Sequence, residues 1–338
     1  MLPHSKILPL TLAVSSCFMT SAFAASGSTL TITNTEDAPY TADIKVGSES
    51  GYANLTNSGF IVNNSIVVSD NGLFTNTGTI KTGILNLDVA QKNDIGGKIE
   101  ATEKFTYCGA TGNNFRQALS ATVVTPLLEI IGKTNSQTGL EIQSQEVLNG
   151  IDAIRVEGNG PRTMLAFKDG KTFNYDGTVT LRHNAGGDST RIEVGHTAGG
   201  AQVTLAEVIS EQGKTNIQVN ESSSVTVKKI TVQDQGKLEL GSWGGGEQAQ
   251  ASMTLSELHL GKAAKVTGIV YGGTAQSMSI TGDIALTMDE GASADFTQTN
   301  QQAEVKFGAS SLAVTVLDAH SGNQVLLSEA NSTLDPTK

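Results

Sequence analysis

The feature that most constrains this chain is a regular sequence repeat. A pair of apolar residues separated by one residue occurs four times at intervals of 28 positions, at Ile230/Val232, Leu258/Leu260, Leu286/Met288 and Val314/Val316. Apolar residues two positions apart place their side chains on one face of a β-strand. A polar or small-residue turn follows each of the first three pairs, at 233–237, 261–265 and 289–293. The repeat therefore predicts one strand at the same place in every unit.

Two further apolar strands accompany each repeated pair. One follows the turn, at Leu238/Leu240, Val266 and Phe296, and the other precedes the pair, at Met253/Leu255, Met278/Ile280 and Val305/Phe307. Three strands joined by short turns fit one triangular coil of a parallel β-helix, in which coils lie about 4.8 Å apart and inward side chains form one core. A single coil cannot bury its inner face, so this fold is stable only as a stack. The predicted fold class is all-β, a three-sheet parallel β-helix.

The repeat also aligns the only tryptophan of the chain with a tyrosine. Trp243-Gly-Gly in one unit corresponds to Tyr271-Gly-Gly in the next. The two side chains are therefore predicted to lie on adjacent coils at the same corner. They would form either a surface strip that stacks on a sugar ring or a ladder that closes a glycine-rich corner, and we favour the ladder.

Residues 1–24 have the pattern of a secretory signal peptide. Lys6 precedes an apolar run at 7–14, and Ala22-Phe-Ala24 forms a small-x-small cleavage site before Ala25. A second interpretation is a lipoprotein signal, which would place a lipid on Cys17. Cleavage after Ala24 would leave Cys108 as the sole cysteine, so we expect no disulfide within the mature chain. The expected location is the cell surface or the extracellular space, with the periplasm as the alternative.

The charge balance bears on which partners the chain can bind. The chain is acidic, with a net charge of −11, and no cluster of lysine and arginine residues is evident along the sequence. This composition argues against nucleic acid and anionic membrane surfaces as partners. Beyond the N-terminal segment, no apolar stretch is long enough for a transmembrane helix.

A shorter repeat lies nearer the N-terminus. Leu55-Thr-Asn-Ser-Gly-Phe-Ile61 returns as Phe74-Thr-Asn-Thr-Gly-Thr-Ile80. We expect Asn and Gly to form tight corners through left-handed backbone, and Ile and Phe to fill the interior. Behind a signal peptide, this pair of motifs resembles the passenger regions of bacterial autotransporters, which are type V secreted proteins. The resemblance is one of pattern and extends over most of residues 25–325.

The resemblance implies a right-handed parallel β-helix at the outer membrane, in many cases an adhesin. The implied partner is a host or cell-surface ligand of unknown identity, with a glycan as one candidate. An autotransporter also has an outer-membrane barrel, and this sequence reaches Lys338 without one. We therefore expect the chain to be a piece of a longer protein; the alternatives are a barrel on a separate chain and a periplasmic protein.

The repeats divide the mature chain into three parts. Short coils are predicted over 25–108, an irregular segment over 109–160 and longer coils over 161–338. Within the irregular segment the periodicity is lost from 109 to 150. Residues 115–120 could begin a short helix, but Pro126 and the β-branched residues at 123–125 limit it, so irregular coils with an insertion are predicted. Asp169-Gly170 between Phe167 and Phe173 suits a type I′ turn, which favours a hairpin near 167–179. The hairpin would either protrude from the rod or interrupt the parallel winding.

Residues able to carry chemistry are few. The densest group is Arg182, His183, Asp188, Arg191 and His196. Some parallel β-helices cleave acidic polysaccharides with Asp carboxylates, a bound Ca²⁺ and an Arg or Lys base. The simpler interpretation of this group is a solvated glycine-rich loop. Asp289, Glu290 and Asp295 lack the alternating oxygens of a calcium loop, and Cys108 is interpreted as a buried thiol.

The sequence therefore predicts no catalytic residue, no cofactor and no metal site. The leading functional hypothesis is an exported structural or adhesive rod. One alternative is a carbohydrate-active enzyme, either a polysaccharide lyase or a hydrolase. The other is a periplasmic or lipid-anchored binding module.

Overall fold

The fold is given by a computed structural model of the chain. It describes residues 28–47, 50–89, 93–109, 116–186, 188–196, 199–220, 222–243, 250–271, 277–296, 312–318, 320–326 and 332–336. Most of these residues lie in β-strands, and within them one short helix occurs, α1 (Gln145–Leu148). The predicted signal peptide, with Ala24, Ala25 and Cys17, lies outside the described residues and stays a prediction.

The strands, in chain order, are β1 (Ser28–Ile32), β2 (Ile44–Val46), β3 (Tyr52–Asn57), β4 (Phe60–Val62), β5 (Ser65–Asn76), β6 (Thr79–Val89), β7 (Asp94–Ile95), β8 (Lys98–Tyr107), β9 (Gln117–Leu119), β10 (Thr122–Ile131), β11 (Thr138–Ile142), β12 (Gly150–Gly158), β13 (Arg162–Phe167), β14 (Thr172–His183), β15 (Ser189–Val194), β16 (Gln202–Gln212), β17 (Lys214–Val219), β18 (Ser224–Val232), β19 (Lys237–Trp243), β20 (Gln250–Leu260), β21 (Lys265–Tyr271), β22 (Ser277–Met288), β23 (Ser293–Asp295), β24 (Leu312–Asp318), β25 (Gln324–Leu326) and β26 (Ser332–Pro336).

The strands form two parallel ladders. Sheet A runs through β1, β3, β5, β7, β9, β11, β13, β15, β17, β19, β21, β23 and β25. Sheet B runs through β2, β5, β6, β8, β10, β12, β14, β16, β18, β20, β22, β24 and β26, with β4 beside β6. Each coil therefore pairs with the coil before it and the coil after it. The predicted parallel β-solenoid is confirmed.

The long strands of sheet B account for two of the three strands expected in each coil. In β14 the pairing register shifts between Tyr175 and Thr178, and buried side chains resume at Val179. A similar shift lies between Val124 and Leu128 in β10. Such irregularities bend a strand. One bent strand of sheet B and one strand of sheet A thus enclose the interior of a coil.

The interior consists of apolar columns that run through the stack. One column in sheet B links in-register partners that are at most 2% exposed: Ile44, Ile66, Leu85, Phe105, Leu128, Ile154, Val179, Val208, Ile230, Leu258 and Leu286. Burying a large aliphatic side chain of this kind contributes about 1.5–3 kcal/mol. The stack therefore derives its stability from contacts between neighbouring coils.

The long repeat is confirmed over three coils and shifts at the fourth. Ile230 pairs with Leu258, which pairs with Leu286. The next coil is displaced by two residues, because Val314 pairs with Ile284 and Val316 with Leu286. A shift of two residues keeps the same side chains facing inward, so the apolar pattern tolerates it. Val305 and Phe307 lie outside the described residues.

The expectation of an irregular segment over 109–160 is wrong for its described part. Strands β9, β10, β11 and β12 continue both ladders without a break. The short helix considered at 115–120 does not form, because 117–119 form β9 and the short helix lies at 145–148. Pairing with the neighbouring coils outweighs the weak local preference for helix.

The predicted hairpin near 167–179 is wrong. Gly170 does adopt a left-handed turn, with a φ of 70°. However, β13 before the turn belongs to sheet A and β14 after it belongs to sheet B, and each pairs in parallel with other coils. Phe167 and Phe173 are buried, and their ring centroids lie 5.1 Å apart. The turn is therefore a corner of the coil and not a protrusion.

The Asn-x-Gly corners have a different cause from the one expected. Asn57 and Asn76 are fully buried, and Asn57 Nδ2 donates to Asn76 Oδ1 over 2.7 Å. The following glycines, Gly59 and Gly78, are not in the left-handed region. A Cβ atom on Gly78 would instead lie 2.1 Å from the carbonyl oxygen of Gly59 on the neighbouring coil. Close approach of two backbones requires glycine here.

Cys108 is buried directly after β8 and is disulfide-bonded in this structure. The interpretation of Cys108 as a buried thiol is corrected, because the residue is buried but does not carry a free thiol. No helix in the described part of the chain has the length and apolar character needed to span a membrane.

Candidate functional site

The structure separates the five residues that the sequence singled out for possible chemistry. Arg182 is at the surface, where its Nε atom donates to Asn184 Oδ1 over 2.8 Å. His183 is only 3% exposed and lies in the interior of the coil, with Nδ1 3.2 Å from Thr190 Oγ1. Burial lowers the pKa of His183. The structure brings only Asp188 and Arg191 of this group into direct contact.

Asp188 and Arg191 line a groove of about 150 Å³ on the outer face of sheet A. The groove is formed by polar residues of four neighbouring coils: Arg162, Asp188, Ser189, Arg191, Lys214, Asn216, Gln218 and Glu239. Strand register explains this assembly, because Met164, Arg191, Asn216 and Glu239 are successive partners along sheet A. The inward neighbours Leu165, Ile192, Ile217 and Leu240 belong to the core. Residues far apart in sequence thus meet on one surface.

The groove is held by ion pairs within and between coils. Asp188 accepts from Arg162 Nε over 2.9 Å and from Arg191 Nη2 over 2.7 Å. Lys214 Nζ lies 3.2 Å from Glu239 Oε1. The groove therefore contains three cationic side chains and two carboxylates. This excess of positive charge contrasts with the acidic balance of the whole chain.

The groove continues into a buried polar network along the same face. Arg191 Nη1 donates to Gln218 Oε1 over 2.7 Å, and Gln218 Nε2 donates to Asn220 Oδ1 over 3.0 Å. Asn220 Nδ2 then donates to Glu193 Oε1 over 3.2 Å. Arg116, far earlier in the chain, also binds Glu193 Oε1, at 2.5 Å. Such mutual hydrogen bonds fix the orientation of the side chains that line the groove.

Asn216 places a buried amide beside the groove. It is only 2% exposed and lines the groove, and its Oδ1 atom makes no hydrogen bond in the described structure. A buried acceptor without a hydrogen bond costs about 1–3 kcal/mol. The Oδ1 atom is itself shielded from solvent, so a molecule in the groove does not reach it. A polar ligand would instead contact the guanidinium and carboxylate groups that line the groove.

A column of basic residues borders the groove and was missed at the level of sequence. Lys214, Lys237 and Lys265 are direct partners at the starts of β17, β19 and β21. Arg162 lies at the same edge, two coils before Lys214, and pairs with Ser189 of the coil between them. These cations are widely separated along the chain, so no local cluster reveals them. The signal was present in the repeat, because Lys237 and Lys265 each end an equivalent turn.

The backbone of the aromatic pair lies on adjacent coils, as the repeat predicted. Trp243 and Tyr271 are register partners in β19 and β21. Their side chains, and the glycine-rich segments 244–249 and 272–276, lie outside the described part of the structure. The choice between a sugar-binding strip and a ladder stays a prediction.

The acidic turn near 289 is a surface turn. Glu290 Oε2 lies 3.0 Å from Lys262 Nζ, and Asp295 lies on the short strand β23. Within the described ranges, no group of three His, Cys, Asp or Glu residues has the geometry to hold a metal ion. His196, the last of the five candidates, is 46% exposed, and its Nδ1 atom lies 4.0 Å from Glu193 Oε1.

Comparisons with models of protein families, with curated proteins and with solved structures find no match. The functional inference therefore depends on the parallel stack and on the outer surface of sheet A.

Proposed function

We propose that this chain is an exported, rod-like structural protein whose outer surface is adhesive, as in the passenger region of an autotransporter. The observation that carries the proposal is the unbroken parallel pairing from β1 to β26, with apolar columns inside. Such a stack places equivalent surface positions about 4.8 Å apart along its axis. This geometry suits a scaffold that binds an extended partner at several points.

The export route is supported by the sequence. The apolar run after Lys6 and the Ala22-Phe-Ala24 motif fit a cleaved signal peptide. In this proposal an outer-membrane barrel, on a continuation of the chain or on a separate chain, displays the rod at the cell surface.

Mass spectrometry of the mature N-terminus tests export. The full chain is expressed in a bacterium and recovered from outside the cytoplasm. A mature chain that starts at Ala25 supports release after cleavage. An acylated Cys17 supports the lipid-anchored alternative, and an intact N-terminus on a chain confined to the cytoplasm contradicts export.

Adhesion is tested separately from export. Beads coated with the purified chain are incubated with host cells before and after enzymatic removal of surface glycans. The proposal predicts that coated beads bind more cells than albumin-coated beads do. Equal binding by both kinds of bead contradicts an adhesive role and leaves a purely structural rod.

An enzyme that acts on acidic polysaccharides is the second candidate, favoured by the contact of Asp188 with Arg191 and Arg162 in the groove. Acidic glycans are incubated with the protein, with and without Ca²⁺, and their chain length is measured. Shortening that is lost in both Asp188→Asn and Arg191→Lys, in variants that retain the fold by circular dichroism, favours the enzyme. Unchanged chain length with the original protein contradicts it.

A further inference from the structure

We infer that the basic column on sheet A, together with the adjoining groove, binds a linear acidic polysaccharide that lies along the axis of the solenoid. The column consists of Arg162, Lys214, Lys237 and Lys265. This inference deepens the adhesive role proposed above and rests on it, because it names the ligand class and the surface.

The first argument is the placement of the positive charges. Lys214, Lys237 and Lys265 lie on three consecutive coils and Arg162 lies two coils before Lys214, so the column spans about 19 Å at the spacing of parallel strands. Lys237 and Lys265 are exposed. Among the described residues, no carboxylate lies within 4.0 Å of either of these two ammonium groups. A chain with an anionic group on each unit can therefore contact successive coils.

The second argument is the chemistry of the groove beside the column. Asp188 and Glu239 present carboxylate oxygens at the groove, and Gln218 adds a side-chain amide. Carboxylate and amide oxygens accept hydrogen bonds from the hydroxyl groups of a sugar. The guanidinium of Arg191, held by Asp188 and Gln218, is the type of group that binds a carboxylate. Hydroxyl and carboxylate groups occur together in polysaccharides built from uronic acids.

The same features argue against nucleic acid. Asp188 and Glu239 repel a phosphate and a sugar carboxylate alike, but only the sugar chain offsets this with hydroxyl groups on every unit. The net charge of the chain, −11, also repels a long polyanion except where cations are locally concentrated. A sugar chain gains hydrogen bonds from the two carboxylates, whereas a phosphate backbone gains none from them. Binding of nucleic acid is therefore an outcome of the test and not part of the inference.

The test measures binding of fluorescent oligogalacturonate to the full chain by anisotropy, at near-physiological salt. The fully methyl-esterified oligosaccharide serves as the uncharged ligand, and single-stranded DNA of similar length as the other polyanion. The variant is Lys237→Gln/Lys265→Gln. Its matched control is Lys45→Gln/Lys98→Gln, which removes the same charge from exposed lysines on sheet B.

We expect oligogalacturonate to bind, the ester to bind at least tenfold more weakly, and DNA more weakly than oligogalacturonate. Loss of two exposed ion pairs should weaken oligogalacturonate binding about three- to tenfold in the Lys237→Gln/Lys265→Gln variant. The control should stay within twofold of the original protein. Unchanged circular dichroism in both variants excludes misfolding as the cause.

Three results would overturn the inference: no binding of oligogalacturonate, equal loss of binding in the variant and its control, or DNA bound as tightly as the acidic sugar. The outcome is distinguishable from that of the proposed function. Cell adhesion without oligogalacturonate binding rejects this surface and keeps the adhesive role. Oligogalacturonate binding by a chain that is neither exported nor adhesive keeps the surface and rejects the role.

Discussion

The turn after each of the first three pairs of the long repeat holds one residue in the left-handed backbone region. Gln235, Ala263 and Gly291 occupy equivalent positions and have φ angles of 60°, 54° and 72°. Hydrogen bonds stack these turns, since Gln235 N donates to Lys262 O and Ala263 N donates to Glu290 O. Left-handed backbone costs a residue with a Cβ about 1–2 kcal/mol. Only one of the three positions has the residue that avoids this cost.

Exchanging glycine and alanine between two of these turns should therefore change stability in opposite directions. We expect Ala263→Gly to raise the free energy of unfolding by about 0.5–1 kcal/mol, and Gly291→Ala to lower it by about 1 kcal/mol. A Cβ on Gly291 meets its nearest atom at 4.0 Å, so strain and not collision accounts for the loss. Urea unfolding measures both variants. A shift of both in the same direction contradicts the assignment.

His183 makes stability depend on pH. Burial lowers the pKa of His183 more than Asp188 raises it, and Lys214 adds to the lowering. The unfolded imidazole titrates near pH ~6.5, so below that value the unfolded chain binds more protons than the folded chain. Stability is therefore expected to fall as the pH drops from about 7 through the window between the unfolded pKa and the lower folded pKa.

Urea unfolding at several pH values between about 7 and about 5 tests this expectation. The original protein should lose stability across the window, and His183→Gln should show a flatter dependence. The lowered carboxylate pKa values of Glu207 and Glu290 make their contributions disappear at more acidic pH, below about 4.5. The same slope in both proteins would contradict a buried neutral imidazole.

The burial and contacts of single side chains were the hardest features to predict from the sequence. The sequence placed His183 in a solvated loop, because the nearby glycines resemble one, whereas the structure buries it against Thr190. In-register pairing also creates a buried column of Thr138, Thr163, Thr190 and Thr215. These threonines belong to four different coils, so no local pattern in the sequence reveals that they stack.

At the level of strands, the asparagine pair shows how one coil fixes the next. Asn57 Nδ2 donates to Asn76 Oδ1, and Asn76 Nδ2 donates to the carbonyl of Gly96 over 2.5 Å. All three groups lie in neighbouring coils. Removing Asn76 would leave the buried amide of Asn57 without this acceptor.

We expect Asn76→Ala to lower the free energy of unfolding by about 1–3 kcal/mol, the cost of a buried polar group left without its partner. The matched control is Asn64→Ala, at an exposed asparagine between β4 and β5. Surface substitutions of this kind usually change stability by less than about 0.5 kcal/mol. Chemical denaturation measures both variants, and equal losses would contradict a structural role for the ladder.

Strands were predictable where the inward pairs repeat and unpredictable where the turn chemistry is ambiguous. The alternation at Ile230/Val232 identifies a strand and its register, because only inward residues must be apolar. Asp169-Gly170 identifies a turn but not the sheet that receives the next strand. The groove and the basic column also required the register, since Arg191 and Glu239 come together only after the coils stack.

For the whole molecule, stability is a sum of interactions between neighbouring coils. The parallel pairing extends through the segment that the sequence presented as irregular, and it places Lys214, Lys237 and Lys265 in one column on an acidic chain. Both consequences depend on one property, namely that coils stack in register.

In-register stacking is tested most directly by pyrene excimer fluorescence. Pyrene is attached to cysteines in a Cys17→Ser/Cys108→Ala background. The variant Lys229→Cys/Glu257→Cys carries its two labels on exposed register partners of β18 and β20. The control Lys229→Cys/Ser252→Cys labels the same two strands, with the label on β20 moved five residues out of register. Partners about 4.8 Å apart should give strong excimer emission, and the offset pair, about 16 Å further along the strand, should give little. Equal emission from both pairs, or stronger emission from the offset pair, would contradict the parallel stack.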